Sequence, residues 1–287
     1  MSWRYFKPFS SVSYYTITGA SLYFLLKDEK FKIVENSNKS ETNKFPEFDL
    51  NWDHRAETAL VKPFKDGSNA SKQKSYSEKL EKYRSRAVRH ILLIRHGQYF
   101  LNGTTDKERV LTQLGREQAK MTGNRLKELD IKITEAVVST MTRAKETANI
   151  LLNQLPQAKQ LELKIDSILE EGAPLGPEPK FGSWRPMEYQ FFVDGARIEA
   201  AFRKYFHRAD PEQINDSLTL IVCHANVIRY FVCRALQWPP EAWLRFSLHH
   251  ASITWISIYP NGEVVMKMYG DAGHMPKSHV TTRNIGD

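Results

Sequence analysis

Apolar residues are spread unevenly along the chain. From His90 onward, short continuous apolar runs recur: Ile91-Leu-Leu-Ile94, Ala136-Val-Val138 and Leu218-Thr-Leu-Ile-Val-Cys223. Runs of this length are those of strands buried on both faces. Between them the spacing turns helical. Thr112 is placed to cap a helix over residues 112–130, with Leu114, Thr122, Leu126 and Leu129 facing inward. Further helices are predicted over 142–155, 194–207 and 225–236, and a strand over 161–165. Strands over 252–259 and 263–269 are hinged at Asn261-Gly262. The order strand, helix, strand, helix, strand predicts an α/β fold: a three-layer sandwich with a mostly parallel central sheet flanked by helices.

Ahead of His90 the pattern is different. No charge occurs between Lys7 and Lys27, and the run from Pro8 to Leu26 is about long enough to cross a bilayer, although six Ser and Thr dilute it. Arg4 and Lys7 precede the first carboxylate, Asp28, which suits mitochondrial targeting joined to a membrane anchor. Residues 28–89 are polar, without sustained apolar periodicity, and read as a linker. Inside it, Phe48-Asp-Leu-Asn51-Trp52-Asp53 sets two aromatic residues in a solvated stretch. Such a Trp packs back on its own domain or on a partner more readily than it binds a ligand. The expected organisation is an anchor over 1–27, a linker over 28–89 and a catalytic domain over 90–287.

Charge sharpens this division. The net charge is +8, and 17 Lys and Arg stand against 11 Asp and Glu up to Arg89, but 24 against 22 beyond it. A basic tail on a near-neutral domain suits an anionic membrane surface and argues against a nucleic-acid partner, which calls for a basic stripe on the fold. Cys223 and Cys233 are the two cysteines and form no CxxC pair, so they read as reduced core thiols. No His cluster has metal-ligand spacing.

Four polar segments follow the predicted strands: Arg95-His96-Gly97, Ser139 to Arg143, Glu170-Glu171-Gly172 and His224-Ala-Asn226. In an open α/β sheet, ligands bind at the carboxyl ends of strands, so these segments can share one crevice. Hydrolysis of a phosphate ester without metal requires fixed positive charge, a nucleophile and an acid for the leaving oxygen. Arg95 and Arg143 can grip phosphate oxygens in bidentate fashion. His96 can attack once one ring nitrogen is anchored. Glu171 can act as acid and then as base, with Glu170 as its rival. His224, opening a helix, favours a phosphoryl oxygen, and Asn102 offers another donor.

Together, Leu93-Ile-Arg95-His96-Gly97, Ser139-Thr-Met-Thr-Arg143-Ala144, Leu169-Glu-Glu171 and Val222-Cys-His224 resemble the phosphoglycerate mutase or histidine phosphatase superfamily over roughly residues 90 to 270. Leu111-Thr-Gln-Leu-Gly115, Glu171-Gly-Ala-Pro174, Asp194 to Phe202 and Cys223 to Tyr230 are similar to its mitochondrial serine/threonine phosphatase members. The resemblance implies His96 as the phosphorylated nucleophile, Arg95, Arg143 and His224 as the phosphate pocket, Glu171 as acid and base, and no metal or cofactor. Asn102 fits the superfamily pattern of an Asn six residues after the nucleophile. The resemblance also implies phosphoserine and phosphothreonine proteins as substrates, kinases of stress signalling among them, and a mitochondrial membrane location, outer rather than inner. Residues 48–53 resemble the family's W-D-P-N-W-D assembly motif, which implies homo-oligomers built through Phe48, Asn51, Trp52 and Asp53. Phe48 and Leu50 replace its Trp and Pro.

Two other functions fit the same residues. A mutase acting on a small phosphorylated metabolite would use this pocket, but it needs longer insertions and more basic clamps than the loop with Lys180, Phe181, Trp184, Arg185 and Pro186 provides. A membrane-tethered scaffold that binds phosphoprotein without turnover would be expected to have lost one of the site residues, and none is missing.

Overall fold

The computed structural model describes residues 47–63, 70–180 and 182–282. The predicted anchor lies outside the described residues, and no helix among those described is long and apolar enough to cross a membrane.

Within the compact unit Phe48–Asp287 the strands are β1 (Arg89–Arg95), β2 (Glu135–Ser139), β3 (Leu163–Asp166), β4 (Ser217–Cys223), β5 (Ile253–Ile258) and β6 (Val264–Asp271). They form one six-stranded sheet in the order β3-β2-β4-β1-β5-β6. The sheet is mixed: β3, β2, β4 and β1 run parallel, and β5 pairs antiparallel with both β1 and β6. Gly262, at φ +94° in the β5–β6 turn, occupies a backbone region that favours glycine.

The helices are α1 (Glu57–Leu60), α2 (Ala70–Tyr83), α3 (Gln113–Glu128), α4 (Thr142–Leu152), α5 (Glu188–Tyr205) and α6 (Ala225–Ala235). Successive side chains of a strand point to opposite faces, so β1 supplies two cores. Ile91 and Leu93 pack with Ile198 and Phe202 of α5 and Ile228 and Phe231 of α6. Leu92 and Ile94 pack with Leu126 of α3 and Ala148 and Leu151 of α4. The sheet is therefore covered on both faces, as the continuous apolar runs require.

Three expectations need correction. Thr112 does cap α3, its hydroxyl accepting from Gly115 N, but the buried face is Gly115, Gln118, Ala119, Thr122, Gly123 and Leu126. Leu114 and Leu129 are only half-buried, because small residues let α3 approach its neighbours more closely than a leucine face would. Helix α5 begins at Glu188 rather than at residue 194, where Met187 N donates to Gln190 Oε1 at 2.8 Å and starts the first turn. The stretch read as linker contains α2, a 14-residue helix with no buried residue, whose Ala, Lys, Gln and Glu favour helix without any packing.

The segment over 48–53 seats on the body of the unit. Trp52 Nε1 donates to Gly262 O at 2.9 Å, and its ring lies 5.9 Å from that of Phe202. The Asp53 carboxylate accepts from Arg208 Nε and Nη2 at 2.9–3.1 Å, with both side chains almost wholly buried. Arg208 Nη2 also donates to Leu50 O.

Candidate active site

Neighbouring strands lie about 4.8 Å apart, and β2, β4 and β1 are consecutive and parallel. Their carboxyl ends therefore deliver Ser139, His224 and His96 side by side. His96 N donates to Cys223 O at 3.0 Å, and the rings of His96 and His224 are 5.2 Å apart. Helix α4 follows β2 directly and carries Arg143 in its first turn, where Arg143 Nε lies 3.3 Å from His96 Nε2.

Two neighbours fix the His96 tautomer. Nδ1 lies 2.8 Å from the Gly97 carbonyl oxygen, which can only accept, so Nδ1 carries the proton. Arg143 can only donate, so Nε2 presents its lone pair. Burial, reinforced by Arg143, His224 and Arg95, holds the His96 pKa well below the usual histidine value. The ring is thus neutral with a free nitrogen lone pair beside a guanidinium. Burial and then Arg143 depress His224 in the same way, while its Nε2 pairs with Ser139 Oγ at 2.8 Å.

The site opens into a cleft of about 780 Å³ whose walls include Arg95, His96, Tyr99, Arg109, Arg143, Glu171, Asn226, Arg229 and Trp243. Arg95 is held from behind: Nη1 donates to Leu248 O, and Nη2 lies 3.1 Å from His250 Nε2, whose Nδ1 is 2.9 Å from Thr281 Oγ1. Burial lowers its pKa to about 10, which leaves it cationic at neutral pH. Arg143 lies over the Tyr99 ring, 4.7 Å from its centroid, and its Nη1 is 3.6 Å from Asp106 Oδ1. Asp106 Oδ2 also accepts from Thr142 N at 2.9 Å and Thr142 Oγ1 at 2.7 Å, tying the loop after His96 to the start of α4. Among the described residues, four buried nitrogens in or beside the cleft lack a hydrogen bond within the protein: Arg95 Nε, Arg143 Nη1, Arg229 Nε and His224 Nδ1. Unpaired buried donors are costly, and an oxyanion would satisfy them.

Of the two adjacent carboxylates, only Glu171 lines the cleft. Burial raises its pKa above the ordinary glutamate value, although Arg143, the backbone N–H groups of Gly172 and Asn226, and Arg95 all pull the other way. Glu170 turns aside, its Oε1 accepting from the Thr140 hydroxyl. Asn102 is exposed and does not line the cleft. Thus Arg95, His96, Arg143, Glu171 and His224 come together and Asn102 stays apart. Sequence reasoning assigned no role to Tyr99, Arg109, Arg229 or His250. Arg229, five residues after His224 on α6, was the most accessible to it, whereas His250 arrives from a loop with no periodic signal.

A buried, neutral histidine walled by guanidinium groups at the carboxyl edge of an α/β sheet makes a site suited to a phosphate group. The chain belongs to the histidine phosphatase superfamily (branch 1), which residues 91–175 and 194–271 match. It is 53% identical over 272 residues, 93% of each chain, to the serine/threonine-protein phosphatase Pgam5, mitochondrial, of Drosophila pseudoobscura pseudoobscura. It is 50% identical over 282 residues, 96% of each chain, to the protein of the same name in Drosophila virilis. Among solved structures, a phosphoglycerate mutase from Plasmodium falciparum is similar, at 33% identity and a TM-score of 0.47, covering 69% of this chain and 100% of that one.

Proposed function

We propose that this protein is a mitochondrial serine/threonine protein phosphatase that works through a phosphohistidine on His96. The observation that carries the reading is the His96 ring itself, with Nδ1 bound to Gly97 O and Nε2 held unprotonated beside Arg143. Phosphate oxygens bind Arg95, Arg143 and His224. Nε2 of His96 attacks phosphorus, the P–O bond to the serine or threonine breaks, and protonated Glu171 gives its proton to the departing oxygen. Glu171, now a carboxylate, takes a proton from water. The resulting hydroxide attacks phosphorus, the P–N bond breaks, and inorganic phosphate leaves a neutral His96. Of the side chains in this cycle, Arg95, His96, Arg143 and Glu171 line the cleft, and the His224 ring lies 5.2 Å from that of His96.

The test is rapid quench during turnover of a labelled phosphopeptide by the full chain. Acid-labile label on His96 is expected, and His96→Ala should lose both label and turnover while keeping its fold. Turnover without label, or retained activity in the variant, rejects the nucleophile.

The uncharged run over 8–26 is the element that would hold the protein in a mitochondrial membrane, with the outer membrane favoured, and phosphorylated signalling proteins, stress kinases among them, are the proposed partners. Assembly of copies through Phe48, Asn51, Trp52 and Asp53 belongs to the same proposal; within one chain Trp52 and Asp53 are seated at Gly262 and Arg208. Trp52→Ala should shift the full chain to smaller species in sedimentation and lower its activity. An unchanged size removes the motif from assembly.

A further inference from the structure

Two segments that border the cleft expose large apolar side chains. Tyr99 lines the cleft, and the next two residues, Phe100 and Leu101, are 50% and 53% exposed. On α5, Gln190 and Asp194 line the cleft, while Phe192, between them in sequence, is 81% exposed. Met187, Tyr189 and Val193 beside it are exposed as well. Among the described residues thirteen large apolar side chains are exposed, and six of them lie in these two short segments. Single exposed apolar residues are ordinary, but a cluster of this kind at the mouth of a site marks an interaction surface.

The cleft is divided by chemistry. Its buried cations, Arg95, Arg143 and Arg229, form the anion-binding part. Arg109 and Arg185 also line the cleft, closer to solvent, while the exposed segments beside it carry mainly apolar side chains, and between Met187 and Val193 the one charged residue is Glu188. A small phosphate ester would be held entirely by the buried part, and the rim would touch nothing. A membrane surface or a second copy seated permanently on these residues would obstruct the mouth that their immediate neighbours form. A polypeptide carrying the phosphate must cross this rim on its way in and out, and only such an occupant uses both parts at once.

We infer that Phe100 and Leu101 on one segment and Met187, Tyr189, Phe192 and Val193 on the other form a docking rim for phosphoprotein substrates with bulky apolar residues flanking the phosphorylated serine or threonine. The inference rests on the phosphatase reading and narrows its substrate class. Specificity arises from burial of the flanking side chains against the rim, separately from phosphate capture.

The experiment compares two phosphothreonine peptides, one with Leu and Phe on both sides of the phosphate and one with Ser and Gln there, alongside nitrophenyl phosphate. The full chain and its Phe100→Ser and Phe192→Ser variants are assayed on all three. The wild-type chain should prefer the apolar peptide by about tenfold or more in kcat/KM, as burial of one or two such side chains implies. Each variant should lose most of that preference through KM, with turnover of nitrophenyl phosphate unchanged. Equal kcat/KM on both peptides in the wild type overturns the rim and leaves the phosphatase reading standing. Turnover of nitrophenyl phosphate with neither peptide cleaved overturns both. Variants that change sedimentation or release from anionic vesicles, with peptide preference intact, reassign the surface to a second copy or to a membrane.

Discussion

His96 and Glu171 sit in one cleft, and burial moves their pKa values in opposite directions. Each is pushed toward its neutral form, which for an imidazole is the nucleophile and for a carboxyl is the proton donor. The division of labour follows from one physical cause acting on two kinds of acid. Glu171→Gln should therefore slow hydrolysis of phosphothreonine, whose leaving oxygen needs a proton, by about a hundredfold or more, and that of nitrophenyl phosphate by less than about tenfold. Equal losses on the two substrates, or a larger loss from Glu170→Gln, would move the acid elsewhere. The sequence supplied the spacing Glu170-Glu171 but no direction for either side chain. What separates them is the Thr140 hydroxyl, which takes Glu170 out of the cleft. Asn102 illustrates the opposite failure: its distance from His96 along the chain is right, but the loop over 98–110 carries it out to solvent.

At the level of elements, the loop that begins at His96 is clamped by the cap and first two turns of α3. Gln98 N donates to the Gln118 side chain at 2.9 Å, Thr112 N donates to Gln98 O at 3.0 Å, and a Cβ at Gly115 would collide with that same carbonyl. Gly115→Ala should cost about 1–3 kcal/mol in denaturant unfolding through overpacking, and should lower kcat as well, because the displaced backbone adjoins the nucleophile. Unchanged stability and unchanged turnover would show that the contact relaxes freely. The strands were the legible part of the fold, since Ile91-Leu-Leu-Ile94 and Leu218 to Cys223 can satisfy two covered faces only in the centre of a sheet. Helix ends were less so. The start of α5 has the pattern of a loop because Phe192 and Val193 belong to no core, and the inward face of α3 is hard to read because glycine and alanine carry little hydrophobic signal. His250 could not have been found from pattern, because its place behind Arg95 is set by chain folding between distant segments.

For the molecule as a whole, two buried neutral histidines at the heart of the sheet edge link stability to pH. His96 and His224 have depressed values in the folded state and the ordinary value of 6.5 when unfolded. Their contribution is complete above that value and is lost as pH falls below it toward the folded values, because the unfolded chain then binds protons that the native one refuses. The urea midpoint should fall between about pH 7.5 and about pH 5.5, and His224→Gln should flatten that slope. A midpoint constant over this window in the wild type would contradict neutral burial. Activity should follow a different course, since a neutral His96 remains a nucleophile throughout the window, and its limit on the alkaline side is loss of the Glu171 proton. The seat of residues 48–53 bears on a separate matter. Asp53 and Trp52 fasten that strip to the body by charge and indole contacts, at a place where the positive φ and missing side chain of Gly262 leave room for Leu50 O. A protease that severs the chain between Val61 and Ala70 would then leave the upstream fragment clinging to the enzyme, so the nick alone would not part the two pieces.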